Sequence, residues 1–266
     1  MEEIVNALKE NSNLTEEVKL RVEQDIINLI NIFPNIDKTK ITERLKSLKI
    51  EALPKLGEYE DVKSVGNAEV LVSKVALETK DAYNISMQCL LKALFPNNNS
   101  KLEALHNGMT EMIANTIVGN SSESDEYYTC ELLSLVIDPE SEQADLLENS
   151  YLNGNFSSII PFLEDKLGKE TTEEFLNMSN QNYMTRSNSS QSLFPDMEKC
   201  LIEAFFKQNP TIKATNDFDN KLVLDTRFFD DKANRYMGLF DVADYYDNLR
   251  LAYYTNYEQK EQVKTL

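Results

Sequence analysis

Glu69-Val70-Leu71-Val72-Ser73-Lys74-Val75 is the run that decides the fold class, because it is rich in β-branched residues in a chain that otherwise reads as helix. It lies in residues 49–75, the only part of the sequence with strand texture. Ile50, Pro54, Gly57 and Gly66 punctuate that part, and one or two short strands are expected there.

Both flanks of this segment carry apolar residues at three- and four-residue steps, the spacing of one helix face. On the N-terminal side Thr15 opens a helix with Glu16 and Glu17 in its first turn. Val18, Val22, Ile26, Leu29, Ile30 and Phe33 line one face of it until Pro34 stops it. A shorter helix follows from Asp37 to Lys46, with Ile41, Leu45 and Leu48 on its apolar side, so residues 1–50 read as helical. On the C-terminal side helices are expected over residues 81–95, 101–118 and 126–137, ended by Pro96, Gly119 and Asp138-Pro139. Shorter ones follow at 141–149, 157–167 and 171–184. The polar tract 187–192 is the best candidate linker. Beyond it, helices are expected near 195–207, 217–231 and 238–261. In the last of these Leu239, Val242, Tyr246, Leu249 and Tyr253 share a face, too short a repeat for a coiled-coil seam and better read as a packing surface. The expected fold is mainly α, with one small, short-stranded β element near residues 60–75. The expected division is an N-terminal helical segment (1–50), a central domain (51–186) and a C-terminal helical segment (187–266).

Composition narrows the chemistry. Asp and Glu number 45 against 27 Lys and Arg, for a net charge of −18 over 266 residues. Such a chain is repelled by phosphate backbones and by anionic lipid, so neither nucleic acid nor membrane is an expected partner. No apolar run approaches the ~20 residues of a membrane span, and Met1-Glu2-Glu3-Ile4 lacks a signal-peptide core, so a cytoplasmic location is expected. Cys89, Cys130 and Cys200 are far apart in helix-like runs and read as buried free thiols. The nucleotide-cradling glycine motifs are missing, and Asp217-Phe218-Asp219-Asn220 lacks the later glycine and glutamate of a calcium loop. Only one histidine occurs, His106, so the chain alone cannot build a two-histidine zinc site.

That histidine stands in Ala104-Leu105-His106-Asn107-Gly108-Met109-Thr110-Glu111. The segment resembles the Ala-Leu-Asn-Glu-Gly-Leu-Thr-Glu stretch of a group of bacterial zincin-like metallopeptidase domains. Tyr127-Tyr128-Thr129-Cys130-Glu131-Leu132-Leu133 and Tyr151-Leu152-Asn153-Gly154-Asn155-Phe156 resemble two later segments of that group. The likeness covers about residues 60–170, and it rests on the order and spacing of the segments. It implies a multi-helix zincin-like arrangement with the zinc-binding helix at residues 81–95. The same comparison implies that the chemistry is lost. Met87, Gln88 and Leu91 fall at the His, Glu and His positions of the family's His-Glu-x-x-His motif, and Asn107 replaces the third ligand. An amide cannot serve as the base, and a thioether with an alkyl chain cannot hold borderline Zn²⁺. No catalytic residue, metal or cofactor is therefore expected. Met87, Gln88, Leu91, His106, Asn107 and Glu111 would line a relic groove, and the expected activity is binding to a protein partner. An acidic inhibitor that mimics nucleic acid or masks a basic surface is the alternative. An atypical metal-dependent hydrolase built on Glu111 stands third.

Overall fold

The computed structural model describes residues 1–56, 61–119, 124–137 and 145–185, with isolated positions between 193 and 204. The linker expected at 187–192, the helices expected near 217–231 and 238–261, and much of that near 195–207 lie outside the described residues. The chain divides into two compact units, Met1–Cys130 with Asp145–Ile159, and Glu131–Ala144 with Ile160–Leu266.

The first unit opens with α1 (Glu2–Glu10), α2 (Glu16–Ile32) and α3 (Lys38–Leu45). The starts of α2 and α3 follow from side-chain caps. Thr15 Oγ1 accepts the Val18 amide at 3.4 Å, and the Asp37 carboxylate accepts those of Thr39 and Lys40 at 3.1 and 3.2 Å. Asn11, 1% exposed, donates from Nδ2 to the carbonyls of Leu45 and Leu48 at 2.7 and 2.9 Å, tying the end of α1 to the end of α3. Ile4, Leu8, Ile26, Leu29, Ile41 and Leu45 are buried.

The sheet has three strands, β1 (Lys49–Leu53), β2 (Val62–Gly66) and β3 (Glu69–Ser73), in the order β1-β3-β2. β3 is central, parallel to β1 and antiparallel to β2, with Val70 and Val72 buried. This corrects the expected one or two strands, and β1 starts within the stretch read as helical to residue 50. The reason is physical: β1 is an edge strand whose Lys49, Glu51 and Ala52 are exposed, so no apolar alternation marks it.

After a single turn, α4 (Lys74–Leu77), come α5 (Ala82–Leu94), a 3-10 turn at Ser100–Leu102, and α6 (Glu103–Val118). Gly119, with φ of 89°, ends α6 in a conformation that favours glycine. The start of α7 (Asp125–Ile137) and all of α8 (Asp145–Leu152) complete this unit. The second unit holds the rest of α7, most of α9 (Ile159–Leu167) and α10 (Lys169–Thr185). α10 buries Thr172, Phe175, Leu176, Ser179 and Asn182, and Asn182 Oδ1 accepts the Leu193 amide at 2.9 Å. Among the described residues no helix is long and apolar enough to cross a membrane.

Candidate functional site: the α5–α6 helix pair

α5 is apolar almost all round, as its run Cys89-Leu90-Leu91-Lys92-Ala93-Leu94 demands, and it buries Met87 and Leu91 completely. Of its polar side chains Asn84 and Lys92 reach neighbouring elements, while Gln88 and Ser86 bond within the helix. Asn84 donates to Asn115 Oδ1 on α6 at 2.7 Å and accepts Gln88 Nε2 at 2.8 Å. Lys92, 7% exposed, donates to the Val62 carbonyl of β2 at 2.8 Å. At the C-terminal end Arg44 of α3 donates to the Leu94 carbonyl. His106 of α6 stands 2.6 Å from the Phe95 carbonyl. Helix ends leave such carbonyls without intrahelical partners, so Arg44 and His106 act as a side-chain cap on α5. The two contacts Asn84–Asn115 and Phe95–His106 also show that α5 and α6 run antiparallel.

His106 is 3% exposed. A carbonyl can only accept, so Nε2 carries the proton. The ring lies on Tyr151 at 4.7 Å between centroids and meets Phe156 edge-on at 5.6 Å. Burial pushes its pKa down to about 3, with the Phe95 carbonyl pulling the other way, so the ring is neutral at ordinary pH. Thr110 donates to the His106 carbonyl at 2.8 Å and so accepts the Tyr151 hydroxyl at 2.8 Å.

Glu111, 8% exposed, points elsewhere. Its two oxygens accept the Ser124 amide at 2.9 Å and the Ser124 hydroxyl at 2.5 Å, and Ser124 Oγ in turn accepts the Tyr127 amide at 3.2 Å. Glu111 thus orients the residue that caps α7. Gly108 explains how closely α7 approaches: a Cβ there would stand 2.1 Å from the Glu126 carbonyl oxygen and 2.7 Å from Cys130 Sγ. Asn107 donates to the Glu103 carbonyl at 2.9 Å, while its Oδ1 is buried without a hydrogen-bond partner among the described residues.

The six expected groove residues do not converge on one point. Met87 and Leu91 are core, and Gln88 reaches α6 through Asn84. His106 and Glu111 serve the end of α5 and the start of α7 respectively. A buried thioether, an alkyl chain, two amides and one carboxylate already holding Ser124 do not fit a zinc ion. Among the described residues no group of three or more His, Cys, Asp and Glu side chains could hold a metal.

Several polar anchors escaped the sequence reading: Arg44, Asn84, Lys92 and the pair Asp25–Tyr83. Asp25 shares the apolar stripe of α2 with Val22, Ile26 and Leu29, and Lys92 interrupts an apolar run. A charge inside an apolar stripe was the available signal. Cys89 and Cys130 are buried free thiols as expected, and burial pushes Cys89 up to about 12, which makes it unreactive. Cys200 departs from that expectation, being only partly buried.

Comparison with known proteins finds no match to this chain among family models, curated proteins or solved structures.

Proposed function

We propose that this chain is a non-catalytic, zincin-like protein that acts by binding another protein, with a cytoplasmic location as part of that reading. The observation that carries it is the fate of the only histidine, a neutral ring spent on the Phe95 carbonyl. In support, α5, where the resemblance puts the zinc helix, commits Tyr83, Asn84 and Lys92 to α2, α6 and β2, and Gln88 to Asn84 of its own helix. A peptidase needs two imidazoles and a base directed at one open position, and that donor set is missing from α5 and α6. The test is metal content by mass spectrometry on protein purified without chelator, beside peptidase assays with added Zn²⁺. The reading expects far less than one metal per chain and no cleavage. Stoichiometric zinc, with cleavage lost in Glu111→Gln, would overturn it.

The net charge of −18 favours a second reading, an acidic protein that covers a basic partner surface. Such binding is steered by charge and weakens steeply with salt. Partner retention that is equal at low and high salt rejects this reading and leaves the first standing.

A further inference from the structure

We propose that the cleft between the end of α2 and the second half of α8 receives an arginine side chain of a protein partner. The proposal rests on the reading that this chain covers a basic protein surface, and it names where one cation of that surface seats. Both walls belong to the first unit. The cavity measures about 270 Å³, just under the roughly 300–1,000 Å³ of small-molecule and cofactor sites, so it suits a single side chain. Phe33, Ile36 and Leu152 give it apolar wall, and Glu148, Asn149 and Asn153 give it polar groups. Glu148 is half-buried, whereas Asn149 and Asn153 are exposed, so the polar side opens to solvent.

The electrostatics of the cleft follow from how two helices end. Pro34 has no amide hydrogen, so the Ile30 carbonyl lacks a donor four residues on. The Phe33 amide, bonded to the Leu29 carbonyl at 2.8 Å, is the last in the ladder of α2. Among the described residues no backbone amide donates to the carbonyls of Ile30, Asn31 and Ile32. Such carbonyls, aimed along the axis, make a helix end a centre of partial negative charge. α8 ends at the opposite wall, and neither helix has a basic residue in its last turn. The end of α8 shows what this potential attracts: Lys40 Nζ donates to the Asn153 carbonyl at 2.8 Å. Lys40 is balanced by Asp37 Oδ2 at 3.9 Å, and Glu148 adds a carboxylate to the wall.

A guanidinium fits this combination better than an ammonium. Its planar fork of donors serves a carboxylate and carbonyls together, and it sheds water more readily. Its flat face and alkyl stem pack on an aromatic ring and an alkyl chain, here Phe33 and Leu152. Phosphates and carboxylates are repelled by the same groups.

The test is an NMR titration of the whole isotope-labelled chain with Nα-acetylarginine amide, beside Nα-acetylcitrulline amide as its neutral isostere. Saturable shifts are expected at the amides of Phe33, Asn35, Ile36, Asn149 and Asn153. The citrulline probe should bind at least about tenfold more weakly, and Glu148→Gln should weaken the arginine probe roughly fivefold or more. Asn149→Lys, at an exposed helical position, places a resident ammonium at the mouth and should abolish the shifts, with the circular dichroism unchanged. Shifts that are missing at these amides, equal binding of the two probes, or undiminished binding to either variant overturn the proposal. Should Glu148→Gln fail to fold, undiminished binding to Asn149→Lys overturns it independently. The probe needs no partner, so its failure removes the cleft and leaves the protein-binding reading standing. Salt-independent partner retention instead removes the basic-surface reading and leaves the measured affinity of the cleft as it is.

Discussion

At its C-terminal end α5 gives the carbonyls of Leu94 and Phe95 to Arg44 and His106, whereas near its start the side chains of Tyr83 and Asn84 hold Asp25 and Asn115. Both ends are fastened by hydrogen bonds to neighbouring helices, yet acid acts on them in opposite senses. His106 is buried as a neutral base, with a pKa depressed from 6.5 to about 3. Its contribution is complete above 6.5 and is lost as pH falls toward the depressed value. Asp25 is a buried acid with a raised pKa, and its contribution is present in acid and lost as pH rises. The comparison shows that a titratable side chain is judged by which form the fold buries, not by its residue type.

The largest expected effect tests the frame that holds His106 in place. Gly108→Ala puts a Cβ 2.1 Å from the Glu126 carbonyl, so α6 and α7 must separate. A loss of ~3 kcal/mol or more is expected in urea unfolding followed by far-ultraviolet circular dichroism. A loss below about 1 kcal/mol would show that the crossing relaxes easily and that α6 does not fix the cap on α5. Next comes His106→Ala, expected to cost about 2–4 kcal/mol, since it empties an aromatic site and strands the Phe95 carbonyl. The pH profile sharpens this prediction. Between 6.5 and about 3 the native chain should lose stability with a His106 component of up to about 1.4 kcal/mol per pH unit, absent in the variant. Parallel profiles for the two proteins would mean that the ring is not buried neutral. Arg44→Met should cost less, about 1–3 kcal/mol, because it keeps most of the stem and removes the donor to Leu94. If its loss matched that of His106→Ala, the guanidinium would be the principal cap.

How far the sequence discloses these two ends depends on the range of the interactions. Thr15, Asp37, Pro34 and Gly119 act within a turn of their own helices, so the boundaries they set could be read directly. β3 was legible because Val70 and Val72, buried on one face of the strand, alternate with the less buried Glu69 and Leu71. β1 was not, since its identity comes from pairing with β3 and its exposed residues carry no pattern. The same limit applies to the site. His106 could be seen as the only imidazole, but its partner is a backbone carbonyl, which every residue possesses. Asn107-Gly108 falls within the helix expected over residues 101–118, but that the glycine answers to α7 across the crossing requires the fold. Gln88 could be recognised as unable to act as a base, while its link through Asn84 to Asn115 requires the fold.

The smallest expected effect probes the other end most selectively. Tyr83→Phe keeps the ring beside Arg21 and removes only the hydroxyl that Asp25 accepts. At neutral pH this leaves a buried carboxylate without its phenolic donor, for a cost of about 0.5–1.5 kcal/mol. In acid the carboxyl is neutral and demands less, so the cost should shrink. The variant should therefore approach the native stability as pH is lowered toward 4, whereas the His106→Ala deficit also narrows but for the opposite reason: there the native protein is losing its own contribution. Plotting absolute stabilities as well as differences separates the two cases. A Tyr83→Phe deficit that is constant between pH 4 and pH 7 would mean that Asp25 holds the same charge throughout, and the contrast between the two ends of α5 would fail.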